Sequence, residues 1–124
     1  MPGTLYLMKL HLRYRLWIAE MNEDISVLRI FDDHLAELQS RHEPTTANAV
    51  NNYKQQFAGF RKTIDELKHE MHLRKMDIAA LTKEEVNTEK EKNEKELHVV
   101  LEKRYNDFRK QFDAFKNSFV LLDA

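Results

Sequence analysis

Between Val50 and Leu81 the apolar residues Val50, Tyr53, Phe57, Phe60, Ile64, Leu67, Met71, Ile78 and Leu81 recur at alternating steps of three and four. The one gap falls at Arg74, where the next apolar residue is due. A stripe on that step runs along one side of an α-helix and reads as a coiled-coil-like seam. One helix cannot bury its own stripe, so the rest of the chain must supply the helices that cover it.

Both flanks offer one. Leu7, Tyr14, Ile18, Met21, Ile25, Leu28, Leu35 and Leu38 keep the same step and predict a helix over about 5–40, with Thr4 as a candidate N-cap. Over 5–18 a second period is present, because Leu10, Leu12, Tyr14, Leu16 and Ile18 also alternate as strand residues do. A lone strand would have no pairing partner elsewhere in the chain, so helix is the better reading while strand stays open. On the other flank Leu97, Leu101, Tyr105, Phe108, Phe112, Phe115, Phe119 and Leu122 predict a third helix over about 83–122. It opens in the charged run from Glu84 to Glu96, whose mixed signs in strong helix formers fit a solvated helical face.

The breaks between helices have local causes. Pro44 disfavours helix at Glu43, and two threonines follow it, so the middle helix is predicted over about 47–80. Thr82-Lys83-Glu84-Glu85 has the form of a capping box, flanked by Leu81 and Val86 as a hydrophobic staple. No glycine marks this second break, which leaves a continuous helix as the alternative.

Facing layers of an antiparallel hairpin share one midpoint in residue number, and the seams obey this. Leu38 with Val50, Leu35 with Tyr53, Leu28 with Phe60 and Met21 with Leu67 all centre on Pro44. Tyr53 with Phe115, Phe60 with Phe108, Leu67 with Leu101 and Met71 with Leu97 all centre on Glu84. The predicted fold is all-α: one domain over 1–124, an up-down-up antiparallel three-helix bundle with long coiled-coil-like helices. Two Gly and two Pro in 124 residues agree with so few turns.

At the end bounded by Met21 and Leu38 every layer carries large apolar groups, including Phe31, Phe57, Phe108 and Phe112. At the other end Leu5, Leu7, Met8, Leu10, Leu12, Leu16, Ile78 and Leu81 look onto a third helix that offers mainly Lys90, Glu91, Asn93, Glu94 and Lys95. These eight residues are therefore the expected interface. An exposed apolar patch of that size marks a protein contact, either a second copy forming a homodimer or another protein. In a second reading Lys9, Arg13 and Arg15, with no acid before Glu20, join Tyr6, Tyr14 and Trp17 in an amphipathic segment 5–18 that lies on a membrane surface. In the interface reading the arginines meet Glu91, Glu94 or Glu96, and a third reading is that the leucines simply pack within the chain.

Other chemistry is thin. Glu66 and His69 have the Glu-x-x-His spacing of di-iron bundles, and His98 with Glu102 has a His-x-x-x-Glu spacing. Leu67 belongs to the seam, however, which turns Glu66, His69 and His72 outward, so no metal or cofactor is expected. His98 reads as a partly buried, hydrogen-bonded residue near Ile18 and Met71, with no nucleophile spaced to form a triad with it. Twenty Lys+Arg against twenty-one Asp+Glu, with the basic residues of the second and third helices alternating with acids, argue against nucleic acid. The absence of cysteine excludes disulfides and thiolate chemistry and fits a reducing compartment. Lys9, Arg13 and Arg15 interrupt the N-terminal leucines too often for a signal core or a membrane span, so a soluble cytoplasmic protein is expected.

The segments Leu16-Trp17-Ile18-Ala19-Glu20-Met21, Asn52-Tyr53-Lys54-Gln55-Gln56-Phe57 and Ile64-Asp65-Glu66-Leu67-Lys68-His69-Glu70 resemble those of small uncharacterised bacterial helical-bundle proteins. The resemblance implies a bundle over most of the chain and carries no activity with it. In architecture the expected fold is also similar to spectrin-like three-helix bundles, an analogy of shape alone. The functional expectation is a non-enzymatic protein that works by self-association or by binding a protein partner.

Overall fold

The computed structural model describes residues 2–41, 46–83 and 87–121, with backbone alone for 2–4 and 46–47. It contains three helices: α1 (Pro2–Ser40), α2 (Thr46–Lys83) and α3 (Thr88–Val120). The 5–18 segment is helical throughout, so the alternating period there is incidental to a helix with apolar residues on two sides. Thr4 lies inside α1 and is not its cap, because the helix already runs from Pro2. Pro44 and the turn predicted around it lie outside the described residues.

The predicted start of the third helix is corrected. Thr82 is still part of α2, and its hydroxyl donates to the Ala79 carbonyl at 2.8 Å, the back-bond a threonine makes within a helix. The residue that caps α3 is Asn87, held extended at φ −121° and ψ 98° while its side chain accepts from the Lys90 amide. Glu89 and Glu91 then place negative charge in the first turn, where the helix dipole favours it. Of the predicted capping box, Glu84 and Glu85 lie outside the described residues, as does Val86 of the staple.

Side-chain pairs set the directions of the helices. Tyr14 meets His98, Tyr105 meets Glu20 and Arg109 meets Asp24, so α1 and α3 run the same way. Phe57 meets Phe115 and Phe119, Phe60 meets Phe108 and Phe112, and Arg74 reaches Glu94, so α2 runs against α3. The α1 and α2 backbones approach each other far more closely than those of α1 and α3. Long side chains fill the α1–α3 gap, and that is where the polar chemistry of the molecule collects.

One core runs the length of the bundle. Leu28, Phe57, Ile64, Met71 and Phe112 are fully buried, and Phe60 packs on them while half-buried. Phe31 lies 4.3 Å from Phe119 by ring centroids, and Phe60 lies 4.9 Å from Phe115. Each such ring stabilises by roughly 2–3 kcal/mol through burial, with about 0.5–1.5 kcal/mol more from each well-placed pair. The expectation that the opposite end lacks apolar partners is half corrected. Leu7 at 1% exposed, Leu10 at 2% and Ile78 at 1% belong to the same core, which continues through Tyr14 and Leu101.

Candidate interaction surface

The eight residues expected at an interface separate by helical position. Leu7, Leu10 and Ile78 point inward and are buried, and Leu81 is half-buried against the core. They are part of what holds the bundle together. Leu5 (58% exposed), Met8 (58%), Leu12 (51%) and Leu16 (60%) remain outside, on the side of α1 opposite Leu7, Tyr14 and Met21. Steps of three, four and four put these four on one stripe. Ile30, 63% exposed, extends it by two further heptads. In its N-terminal half α1 is thus apolar on two opposite sides, a pattern expected of a helix covered on both.

Beside the stripe, a shallow groove of about 420 Å³ opens between α1 and α2, with Met8, Leu12, Ile78 and Ala79 along it and Lys9, His11 and Arg15 at its rim. Burial, then Lys75 and Arg15, hold the His11 ring below its ordinary pKa of 6.5. His72 is shifted the same way by burial, Lys75 and Lys68. Lys9 and Arg15 make the rim cationic, while the lowered pKa of His11 keeps its ring neutral at neutral pH. Lys9 and Arg15 make no ion pair among the described residues. Arg13 does, but with Glu102 at 3.1 Å and not with Glu91, Glu94 or Glu96 as expected.

Across α1 and α3 the long side chains form a continuous polar seam. The Tyr14 hydroxyl is 2.9 Å from His98 Nδ1, and Arg13 approaches both the other ring nitrogen of His98 and Glu102. Trp17 lies parallel to His98 at 5.8 Å and stacks on Tyr105 at 4.8 Å. One turn further, Tyr105 donates to Glu20 at 2.8 Å, and Arg109 bridges Glu20, Asp24 and Asp113 while lying over Phe108 and Phe112. Burial lowers the His98 pKa, with Glu102 opposing and Arg13 assisting. Burial and the bond to Glu20 raise the Tyr105 phenol, and burial with the nearby Glu94 carboxylate raises Tyr14, so both stay protonated.

A second polar cluster fills the gap in the α2 seam. Arg74 reaches Glu94 of α3 at 3.0 Å, and also Asp77 at 3.0 Å and Glu70 at 3.5 Å. Glu94 is 4% exposed, and burial raises its pKa against the pull of Arg74. Sequence reading took Glu94 for part of a solvated run. The signal that finds it was present, since Arg74 and Glu94 share the midpoint that pairs Phe60 with Phe108.

The two spacings that resemble metal motifs do not converge on one site. Glu66 and His69 are exposed on α2, while His98 and Glu102 are engaged by Tyr14 and Arg13. Among the described residues no three histidines or carboxylates come together as metal ligands would, and no helix is long and apolar enough to cross a membrane. No known protein family, characterised protein or solved structure matches this chain.

Proposed function

We propose that this is a non-enzymatic, cytoplasmic protein that acts by protein–protein contact, and that the outer face of α1 is its working surface, occupied by a second copy of the chain. The observation that carries the reading is that Leu5, Met8, Leu12 and Leu16 remain exposed although the bundle has already buried Leu7, Leu10 and Ile78. They contribute nothing to the core of one chain. Four large apolar groups in water on one helix face favour association.

Multi-angle light scattering of the purified protein at concentrations up to roughly 1 mM tests this. Dimer is expected, and Leu12→Glu with Leu16→Glu should return it to monomer with unchanged helicity, and with unchanged melting when compared at concentrations too low for the parent to associate. A wild-type protein that stays monomeric overturns the proposal. Leu7 and Leu10 are unsuitable for the test, because charging them would unfold the bundle.

Lys9 and Arg15, which make no ion pair among the described residues and lie beside the same stripe, support the membrane-surface reading as a second possibility. It is the weaker of the two because Tyr14 is fully buried and Trp17 is stacked within the bundle, which takes two of its three aromatic anchors out of reach of a bilayer. Flotation with anionic vesicles separates the readings: binding that high salt abolishes supports the membrane, and no binding removes it.

A further inference from the structure

We infer that the two copies dock through α1 in antiparallel orientation, about a twofold axis that passes between Trp17 and Ile18. This rests on the self-association proposed above and adds its geometry. The charge order of α1 is the first reason. From Leu5 to Ala19 the segment carries Lys9, Arg13 and Arg15 and no acid, and from Glu20 to Leu28 it carries Glu20, Glu23 and Asp24 and no cation. Parallel docking would set each block against its own copy, like charge on like. Antiparallel docking sets each block against the other, and complementary charge fixes orientation and register more than it adds affinity.

The apolar stripe agrees independently. Its outer positions continue past Leu16 through Ala19 and Glu23 to Ile30, all exposed. Leu5 with Ile30 and Leu16 with Ala19 share one midpoint, so a single twofold axis lays both pairs against each other at once. Arg13, Glu20 and Asp24 are already engaged by α3. Lys9, Arg15 and Glu23 make no ion pair among the described residues; on this axis Arg15 stands level with Glu20 of the partner, and its long side chain reaches diagonally to the partner's Glu23, three residues or about 4.5 Å further along the helix, as the pair that sets register. Contact from residue 5 to residue 30 runs about 38 Å and covers roughly 400 Å² per copy. That is about half of what each partner buries in a standard stable complex, so the dimer is weak and forms in the micromolar range or above.

Because the chain has no cysteine, single-cysteine variants report the orientation directly. Ala19→Cys, Leu5→Cys and Ile30→Cys all substitute exposed residues, and circular dichroism checks that each still folds. With a short bis-maleimide at roughly 0.5 mM protein, Ala19→Cys should cross-link to itself. Leu5→Cys should not, since its copies lie about 38 Å apart along the axis. Leu5→Cys mixed with Ile30→Cys should give the mixed dimer. Arg15→Glu should weaken the dimer about five-fold or more, and adding Glu23→Arg in the same chain should restore it. Self-linking of Leu5→Cys at the yield of Ala19→Cys overturns the antiparallel geometry and leaves self-association standing. So does the absence of the mixed product in a preparation that sediments as dimer. A preparation that sediments as monomer and cross-links at none of the three positions overturns both.

Discussion

Arg74 and Glu94 give the most informative perturbation of the bundle. Their side chains are 13% and 5% exposed, and one Nη of Arg74 lies 3.0 Å from Glu94 Oε1. Arg74→Met keeps the aliphatic stem and leaves a buried carboxylate without its counter-charge. Breaking such a pair from one side costs about 3–5 kcal/mol. The lower end applies here, because Glu94 already has a raised pKa from burial and can take up a proton in place of standing charged. Asp77 and Glu70, which are more exposed, add little when they lose the same partner. The expected loss is therefore about 3 kcal/mol at pH 7. The sign with pH follows from the raised folded pKa: the contribution of Glu94 is full below its ordinary 4.5 and is lost as pH rises through the folded value. Arg74→Met should accordingly recover most of its deficit at pH 4. Arg74→Met with Glu94→Leu removes both charges and should fall within about 1 kcal/mol of the parent or above it. Urea unfolding of the parent, Arg74→Met, Glu94→Leu and the double variant at both pH values, followed by circular dichroism at constant ionic strength, gives the cycle. A loss under about 1 kcal/mol for Arg74→Met at pH 7, or one independent of pH, would refute the reasoning.

Leu10→Glu and Leu12→Glu are two residues apart and should behave oppositely: the first buries a charge and loses cooperative thermal unfolding, while the second shifts stability by no more than about 0.5 kcal/mol. His98, whose folded pKa is lowered by burial, contributes stability that is full above pH 6.5 and lost as pH falls through the folded value. The urea midpoint should thus drop between pH 7.5 and pH 5.5 by less in His98→Gln than in the parent. Trp17 is the single tryptophan and lies on that imidazole, so its emission should change over the same range in the parent and not in the variant. Gly59 sits in mid-helix where an added Cβ would meet nothing within 4 Å, so Gly59→Ala should stabilise by about 0.5–1 kcal/mol in the same denaturation assay.

Much of this was legible from spacing. The seam from Val50 to Leu81 demanded two covering helices, and the pairing of Phe60 with Phe108 followed from midpoints alone. The start of α3 was misplaced because Thr82-Lys83-Glu84-Glu85 and Asn87 are both sound local caps, and local chemistry does not rank them. Of the candidate surface, the sequence held all eight residues but not their division, since over 5–18 apolar residues lie on both sides of the helix, and Leu7 was counted both in the inner stripe and in the expected interface. His98 was legible as a partly buried, hydrogen-bonded residue, but its partners Tyr14 and Trp17, and the pairing of Arg109 with Asp24, escaped for another reason. Tyr14 with His98 and Asp24 with Arg109 stand 84 and 85 residues apart on helices that run parallel, and no turn ties their register.

Taken alone, the order of residues determined that the chain is helical, where its inner stripes run and which layers of α2 and α3 meet, because these depend on periodicity and on short connections. Tertiary structure decided which leucines of α1 are spent on the core and which remain on the surface. It also decided that Arg74 and Glu94 neutralise each other inside the bundle. Both outcomes turn on how far apart α1 and α3 stand. Side-chain volume and charge pairing across that gap set the distance, and neither is written in the spacing of any one helix.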